Sequence, residues 1–197
     1  LERAGPREDL ATAVDTGLLP ALPLSARPDG APAQTDIASM QVDLGDGFEA
    51  RLLHGYVLEG RVVSRREFRT DATSAVSPLD LGIVYGDLAE PGATDALSFS
   101  AGPRVLWTRW EPGVDLPRGW DDQVTNNHLI PANQAINDAL MAVEVGQELR
   151  LSGYLPVLLN SGELYDLSGT GQLLGTPNQL QQIADVCSTR PAGRGNT

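Results

Sequence analysis

The stretch Met-Gln-Val-Asp-Leu-Gly-Asp-Gly-Phe-Glu-Ala-Arg-Leu, at residues 40–52, decides the fold class. Apolar and polar residues alternate on both sides of Gly45-Asp46-Gly47, which is the period-two pattern of two half-buried strands. A glycine-rich loop of this length commonly joins antiparallel neighbours. The stretch therefore predicts a β-hairpin.

Further strands are expected on the C-terminal side of this hairpin. Residues 56–65 carry apolar side chains at both odd and even positions, which is typical of a central strand. Gly60, near the middle of that segment, indicates a bend. Shorter strands are predicted at residues 81–85, 104–110, 149–155 and 163–167.

Two segments show helical spacing instead. Pro131 and the apolar residues from there to Val143 recur every three or four positions, and Gly146 is placed to end that helix. Residues 176–179, Thr-Pro-Asn-Gln, resemble a capping box ahead of a second helix, with Cys187 as an inert thiol on its apolar face. Because strands and helices do not alternate regularly, the sequence predicts a mainly β (α+β) domain with one or two helices. The predicted arrangement is a small antiparallel barrel, and an OB-like barrel is one compatible form.

Composition divides the chain into three regions. Residues 1–36 contain five prolines and no sustained hydrophobic period, which predicts an arm or tether. Residues 37–187 are the predicted single β-rich globular domain, and residues 188–197 are a predicted flexible tail. Because the numbering begins at Leu1 rather than Met, we expect that a preceding segment, which could carry a signal peptide or membrane anchor, has been removed.

The chain is strongly acidic, with 26 Asp plus Glu against 14 cations and a net charge of −12. Every cation is Arg. Such a surface repels phosphate backbones, so nucleic acid is a disfavoured partner unless the arginines cluster. One cysteine and two histidines give neither an internal disulfide nor a zinc-site pattern, and a phosphate-binding P-loop would need the absent lysine. The sequence therefore predicts no metal site and no cofactor.

Three segments together resemble a known group of proteins. They are Ser-Pro-Leu-Asp-Leu at residues 77–81, Asn-Asn-His-Leu-Ile-Pro-Ala-Asn at residues 126–133, and Gly-Gln-Glu-Leu-Arg-Leu-Ser-Gly-Tyr-Leu at residues 146–155. Their order and spacing resemble a group of small bacterial proteins, many of which carry an N-terminal membrane anchor, and the C-terminal third departs from that pattern. No activity is assigned to the group. The resemblance therefore implies a cell-envelope location and the extent of the domain, but no chemistry.

His128 is the leading candidate for a catalytic residue. It stands beside Asn126 and Asn127, and Asp121 and Asp122 lie a few residues upstream. An imidazole oriented by a carboxylate could act as the general base of a hydrolase-like enzyme. Alternatively, the same side chains hold an irregular loop through hydrogen bonds to the backbone.

A second group of candidates could bind a ligand. The candidates are Arg61, Arg65, Arg66, Arg69, Trp107 and Asn127. The four arginines are the densest cationic cluster in the sequence, and together with an aromatic ring they could bind an anion or single-stranded nucleic acid. Glu59 and Glu67 interleave with them, so solvated charges or local ion pairs are the alternative.

The leading functional expectation is a non-enzymatic module of the cell envelope that presents a protein-interaction or small-ligand surface. The tether-like N-terminal region and the lack of a catalytic set motivate it. The expected partner is a protein or small ligand in the envelope, with membrane contact only through a preceding N-terminal segment. The alternatives are a hydrolase-like enzyme centred on His128 and an OB-type binder of single-stranded nucleic acid.

Overall fold

The computed structural model describes residues 26–160, 163–164 and 181–185. Within these ranges the chain forms nine strands, one α-helix and two short 3₁₀ helices, at Gly86–Ala89 and Trp120–Gln123. The strands are β1 (Ala33–Gly45), β2 (Phe48–Glu67), β3 (Leu79–Val84), β4 (Leu97–Ala101), β5 (Leu106–Trp110), β6 (Val124–Pro131), β7 (Glu148–Asn160), β8 (Glu163–Leu164) and β9 (Gln181–Asp185). Helix α1 spans Gln134–Met141. The predicted mainly β, α+β class is confirmed.

Seven strands form one sheet in the order β1-β2-β3-β6-β9-β7-β8, while β4 and β5 form a separate hairpin. Strand β2 is central, as its pattern predicted. Strand β7 pairs along residues 48–61 of one edge of β2, and β1 and β3 pair with residues 48–57 and 61–67 on the other. All pairs are antiparallel except β6 with β9, which is parallel.

The prediction of a small antiparallel barrel is confirmed in strand direction and wrong in closure. The sheet is mostly antiparallel, and β6 with β9 is the parallel pair among the described strands. The seven-stranded sheet is not closed into a barrel, and β1 and β8 stand at the two ends of its strand order. The sheet curls on itself instead, since the 20-residue strand β2 pairs with both β3 and β7.

The predicted hairpin is confirmed as the pair of β1 and β2. Asp46 and Gly47 both have positive φ angles, of 52° and 82°, which suits the tight turns that join antiparallel strands. The strands that the sequence pattern placed at residues 48–53 and 56–65 are one continuous strand, β2.

Gly60 lies where β2 exchanges one partner strand for another. A Cβ atom at this position would lie 2.3 Å from the carbonyl oxygen of Val84 and 2.7 Å from Cγ2 of Ile83. Real Cβ atoms do not approach other atoms so closely, so β3 can lie against β2 here only because residue 60 has no side chain. The physical need for glycine is therefore a close approach of neighbouring backbone.

Helix α1 begins later than the sequence pattern predicted. Pro131, expected in the first turn of the helix, is the last residue of β6 and pairs with Ala184. The helix is capped instead by Asn133, whose side-chain oxygen accepts the backbone N–H of Ile136 at 2.9 Å. The Asn-His-Leu-Ile-Pro segment is thus strand and not the loop before a helix.

The second predicted helix is wrong where the structure describes it. Residues 181–185 form strand β9, which pairs with β6 on one side and β7 on the other. Without β9, the facing edges of β6 and β7 would leave buried backbone groups unpaired, and this tertiary requirement outweighs local helical spacing. The predicted capping box at residues 176–179 and Cys187 lie outside the described residues.

Two further strand predictions are corrected. Pro156 was expected to limit the strand before it, yet β7 continues to Asn160. Pro156 pairs with Leu52 next to a register shift in β2, and a bulge is one of the few places where a sheet accepts proline. Strand β4 was not among the predicted strands, although Leu97 and Phe99 alternate with exposed serines.

Among the described side chains the hydrophobic core forms two clusters, and β2 contributes to both of them. One cluster contains Leu44, Phe48, Ala50, Leu52, Val76, Ile130, Ala132, Tyr154 and Leu158. The other contains Tyr56, Leu58, Val62, Leu79, Leu81, Ile83, Leu129, Leu140, Val143, Leu149, Leu151 and Leu155. Each fully buried large aliphatic side chain contributes roughly 1.5–3 kcal/mol, so these clusters supply the main driving force for the curled sheet.

Strand β1 begins at Ala33, so residues 33–36, at the end of the predicted arm (residues 1–36), pair with β2. Residues 1–25 of that arm and the predicted tail at 188–197 lie outside the described residues. Among the described residues, no helix has both the length and the apolar character needed to cross a membrane.

Candidate functional site

His128 lies in the middle of β6, directly opposite Asp80 on the neighbouring strand β3. The two residues are only 2% and 3% exposed. Their Nδ1 and Oδ2 atoms are 2.9 Å apart, within ion-pair distance but outside hydrogen-bond alignment. The carboxylate beside His128 is therefore Asp80, and not Asp121 or Asp122 as the sequence spacing led us to expect.

Asp121 and Asp122 lie on the 3₁₀ helix that precedes β6, and both are exposed. They do not orient His128, because β6 carries the imidazole into the interior, against β3. The backbone carbonyl of Asp122 accepts a hydrogen bond from the hydroxyl of Tyr85. Burial raises the pKa of Tyr85, and the negative charge of Asp122 raises it further.

Asp80 is held on its other side by Arg104, which comes from the turn between β4 and β5. The Nη1 atom of Arg104 donates to Oδ1 of Asp80 at 2.7 Å. Nε and Nη2 donate to the two carboxylate oxygens of Asp71 at 2.9 and 3.0 Å. We call Asp71, Asp80, Arg104 and His128 the Arg104 cluster.

The rest of the guanidinium is also satisfied. Nη2 donates to the hydroxyl of Thr73 at 3.0 Å and to the carbonyl of Ser77 at 2.7 Å. The guanidinium carbon lies 3.7 Å from the ring centroid of Phe68, a cation–π contact. Arg104 adopts a positive φ of 56°, which an arginine rarely does unless its surroundings require it.

The Arg104 cluster joins three parts of the chain: the loop before β3, strands β3 and β6, and the β4–β5 turn. An imidazole beside a carboxylate is a pair that general-base catalysis can use, but a substrate must be able to reach it. Because His128 and Asp80 are almost completely buried, the geometry fits a structural ion network that fastens the hairpin to the sheet.

The four arginines of the predicted cationic cluster do not converge on one site. Arg65 and Arg69 both bind the carboxylate of Glu67, at 2.8 and 3.2 Å. The hydrogen bond from Arg65 is the main cause that lowers the pKa of Glu67 below its ordinary value, and the hydrogen bond from Arg69 is the second. This pair of contacts matches the alternative reading of local ion pairs.

The other two arginines bind backbone carbonyls. Arg61 donates to the carbonyl oxygens of Leu88 and Glu90, at 3.4 and 3.1 Å. Arg66 donates to the carbonyl oxygen of Ala101 at 2.8 Å, which ties the end of β4 to β2. Arg61 therefore holds residues 88–90 against β2, and Arg66 holds the end of β4 there.

The remaining ligand-binding candidates, Asn127 and Trp107, differ in their exposure to solvent. Asn127 is fully buried in β6, and its side-chain amide donates to the carbonyl oxygen of Leu81 at 3.1 Å. Trp107 lies on the outer face of β5 and is 59% exposed. Asn127 therefore forms a hydrogen bond inside the sheet, whereas Trp107 is a surface aromatic residue, and the two do not share a site.

A second exposed tryptophan lies on the other face of β5. Trp110, at the end of β5, is 56% exposed, and its ring meets that of Trp120 edge to face with centroids 5.3 Å apart. Gly102 lets the indole of Trp107 lie close to the β4–β5 turn, since a Cβ there would be 2.9 Å from Nε1. We call β4, β5 and residues 111–123 the tryptophan hairpin.

A cleft of about 620 Å³ lies elsewhere, between residues 59–60, 89–91 and 148–150. Its carboxylates belong to Glu59, Glu90 and Glu148, and Glu59 is 3.6 Å from Nε of Arg150. None of the candidate residues predicted from sequence lines this cleft. Among the described residues, no three His, Cys, Asp or Glu side chains are grouped so that they could hold a metal ion.

Sequence reasoning missed Asp80, Arg104 and Asp71 as members of one cluster. A signal was present, because Asp80 interrupts the apolar run Leu-Asp-Leu-Gly-Ile at residues 79–83. A carboxylate in a strand that is buried on both faces requires a buried cation. The sequence does not show which of fourteen arginines supplies it.

Comparison of the chain with protein-family models, curated proteins and solved structures gives no match.

Replacing Arg104 with Met is expected to destabilise the protein by about 3–5 kcal/mol, because Asp80 would remain buried without its cation. Methionine meets the same backbone strain at this positive φ. The loss of stability therefore measures the removal of the charged guanidinium and not a change in backbone strain. The matched control is Arg69→Met, whose side chain is 84% exposed and which should cost less than about 1 kcal/mol. Urea unfolding, followed by circular dichroism, measures the free energy of unfolding of both variants. Equal losses of stability in Arg104→Met and Arg69→Met would contradict the role of the Arg104 cluster.

Stability is also expected to depend on pH through Asp71. Desolvation acts to raise the pKa of Asp71, but the hydrogen bonds and charge of Arg104 outweigh it and lower the pKa. A lowered folded-state pKa gives stabilisation that is present above the ordinary carboxyl value, about 3.9, and is lost as pH falls through the folded value. The stability difference between wild type and Asp71→Asn should therefore shrink as pH falls below about 4. Asp95→Asn, which removes an exposed carboxylate, controls for net charge, and a difference that is constant with pH would refute the linkage.

Proposed function

We propose that this protein is a non-enzymatic interaction module of the cell envelope and that the tryptophan hairpin is its binding surface for a protein partner. The observation that carries the proposal is the exposure of Trp107 and Trp110, each more than half accessible to solvent. Large aromatic side chains in contact with water on a folded surface commonly mark interaction sites.

The side chains of the hairpin are those that contribute most to protein interfaces. Trp107 shares the outer face of β5 with the exposed Arg109, and tryptophan and arginine are enriched among residues whose truncation weakens binding most. Ser98 and Ser100 lie opposite them on β4 and offer hydroxyl groups for hydrogen bonds. This face can therefore supply both apolar area and polar contacts to a partner.

The hairpin is also held firmly in place, which reduces the entropy lost on binding. Its turn is fixed by the Arg104 cluster, and the end of β4 is held by Arg66. Leu106 packs directly on Gly82 of β3, where a Cβ would lie 2.9 Å from Cδ2 of the leucine. A surface fixed in this way can present its tryptophans without a conformational change.

The two alternative functions have less support. A hydrolase-like enzyme would need a substrate to reach His128, which is 2% exposed and does not line the acidic cleft. A binder of single-stranded nucleic acid would need free cations, whereas Arg61, Arg65, Arg66 and Arg69 each bind a carbonyl or a carboxylate. The net charge of −12 also opposes phosphate binding.

A location in the cell envelope is supported by sequence alone. Residues 1–36 are rich in proline, as tethers commonly are, and three segments of the chain resemble proteins that often carry an N-terminal membrane anchor. An anchored domain of this kind would present the tryptophan hairpin to other envelope components.

The double variant Trp107→Ser, Trp110→Ser is expected to lose the partner while keeping the fold, because both side chains are largely exposed. The measurement is affinity capture from envelope fractions of the source cells with the purified chain, followed by mass spectrometry. Val145→Ser removes another exposed apolar side chain, 60% accessible and outside the hairpin, and should capture the same partner as wild type. Capture of the same proteins by all three chains, or of none by wild type, would overturn the proposal.

The envelope location has its own test. Cells expressing the full-length gene should yield the protein in the membrane or exported fraction, because a tether and anchor would hold it there. Recovery entirely with a cytosolic marker enzyme would show that the location is wrong, without bearing on the tryptophan hairpin.

A further inference from the structure

The aromatic pair of the tryptophan hairpin, Trp110 and Trp120, is flanked in the sequence by acidic residues. Trp110 is followed by a loop with exposed acids, and Trp120 begins a 3₁₀ helix whose next two residues are acidic. The exposed carboxylates of this region belong to Glu111, Asp115, Asp121 and Asp122. The cations between residues 109 and 122 are Arg109 and Arg118, so the region carries a net negative charge.

These four carboxylates are available to a partner. Every ion pair within the described ranges involves other acids, and none uses these four side chains. A binding partner would therefore meet free negative charge beside an exposed indole. An anionic partner would be repelled, and a purely apolar one would have to desolvate nearby charges without compensation.

The face of an indole ring attracts cations, and tryptophan does so more strongly than the other aromatic residues. The same molecule already contains such a contact, since the guanidinium of Arg104 lies 3.7 Å from the ring centroid of Phe68. The geometry points to a peptide segment bearing Lys or Arg as the part of the partner that binds here. A cationic side chain would lie against Trp110 and Trp120, and neighbouring cations would face the four carboxylates. This inference rests on the proposed function and names the chemistry of the partner.

The test uses the full chain and a short fluorescent peptide of alternating Lys and Ser, with a peptide of alternating Glu and Ser as its counterpart. Binding is followed by fluorescence anisotropy at low and at high salt. We expect the Lys peptide to bind at low salt, to weaken as salt screens the charges, and to bind more tightly than the Glu peptide.

Three variants locate the site. Trp110→Leu keeps apolar area but removes the ring, and should weaken binding of the Lys peptide about two- to fivefold. Asp121→Asn combined with Asp122→Asn should also weaken it, through loss of charge. Val145→Ser, which removes an exposed apolar side chain outside the hairpin, should leave the affinity unchanged.

Several outcomes would overturn the inference. They are absence of Lys-peptide binding at low salt, equal binding of the Glu peptide, or equal weakening by Val145→Ser and Trp110→Leu. If the Lys peptide fails while an envelope protein is still captured through the tryptophans, the cationic chemistry is wrong and the proposed function stands. If both experiments fail, the hairpin is not a binding surface.

Discussion

The contact between Asp80 and Arg104 is the interaction on which the rest of the structure depends. A carboxylate within a buried strand is costly to desolvate, and only a buried cation with good geometry offsets that cost. Arg104 reaches Asp80 from the β4–β5 turn and binds Asp71 as well, so a single guanidinium joins the hairpin, the loop before β3 and the sheet. The orientation of the exposed tryptophans follows from this attachment, because the hairpin cannot shift without breaking the ion network.

Local patterns predicted the fold where the chain pairs with its neighbours in sequence. The β1–β2 hairpin and the strand at β7 were visible as alternation, because one face of each lies in the core. The central position of β2 was visible as apolar residues on both of its faces. Strand β9 could not be foreseen, since helical spacing at residues 180–187 competes with pairing to two strands distant in sequence. The start of α1 was misplaced for a related reason: Pro131 fits the first turn of a helix and also the end of a strand.

The candidate site was predictable only in part. The sequence pointed to His128 as a catalytic candidate, but the carboxylate beside it comes from a cross-strand register that no sequence spacing reveals. The arginines at 61–69 stood out because they are close in sequence, yet alternation along β2 and separate loops send them to different acceptors. Trp110 and Trp120, ten residues apart, meet only because the intervening loop returns to the end of β5. Sequence shows which side chains are available, and tertiary contacts decide which of them meet.

The place of β9 within the sheet sets an order of assembly that differs from the order of synthesis. The ribosome delivers β6 and β7 before residues 181–185, yet β9 lies between them and completes the hydrogen bonding of both. Until that segment emerges, two apolar strands have unpaired edges on which nascent chains can aggregate. The domain should therefore reach its native state only after translation has passed this point, so chaperone protection of the nascent chain would matter more here than for a chain folded from successive hairpins.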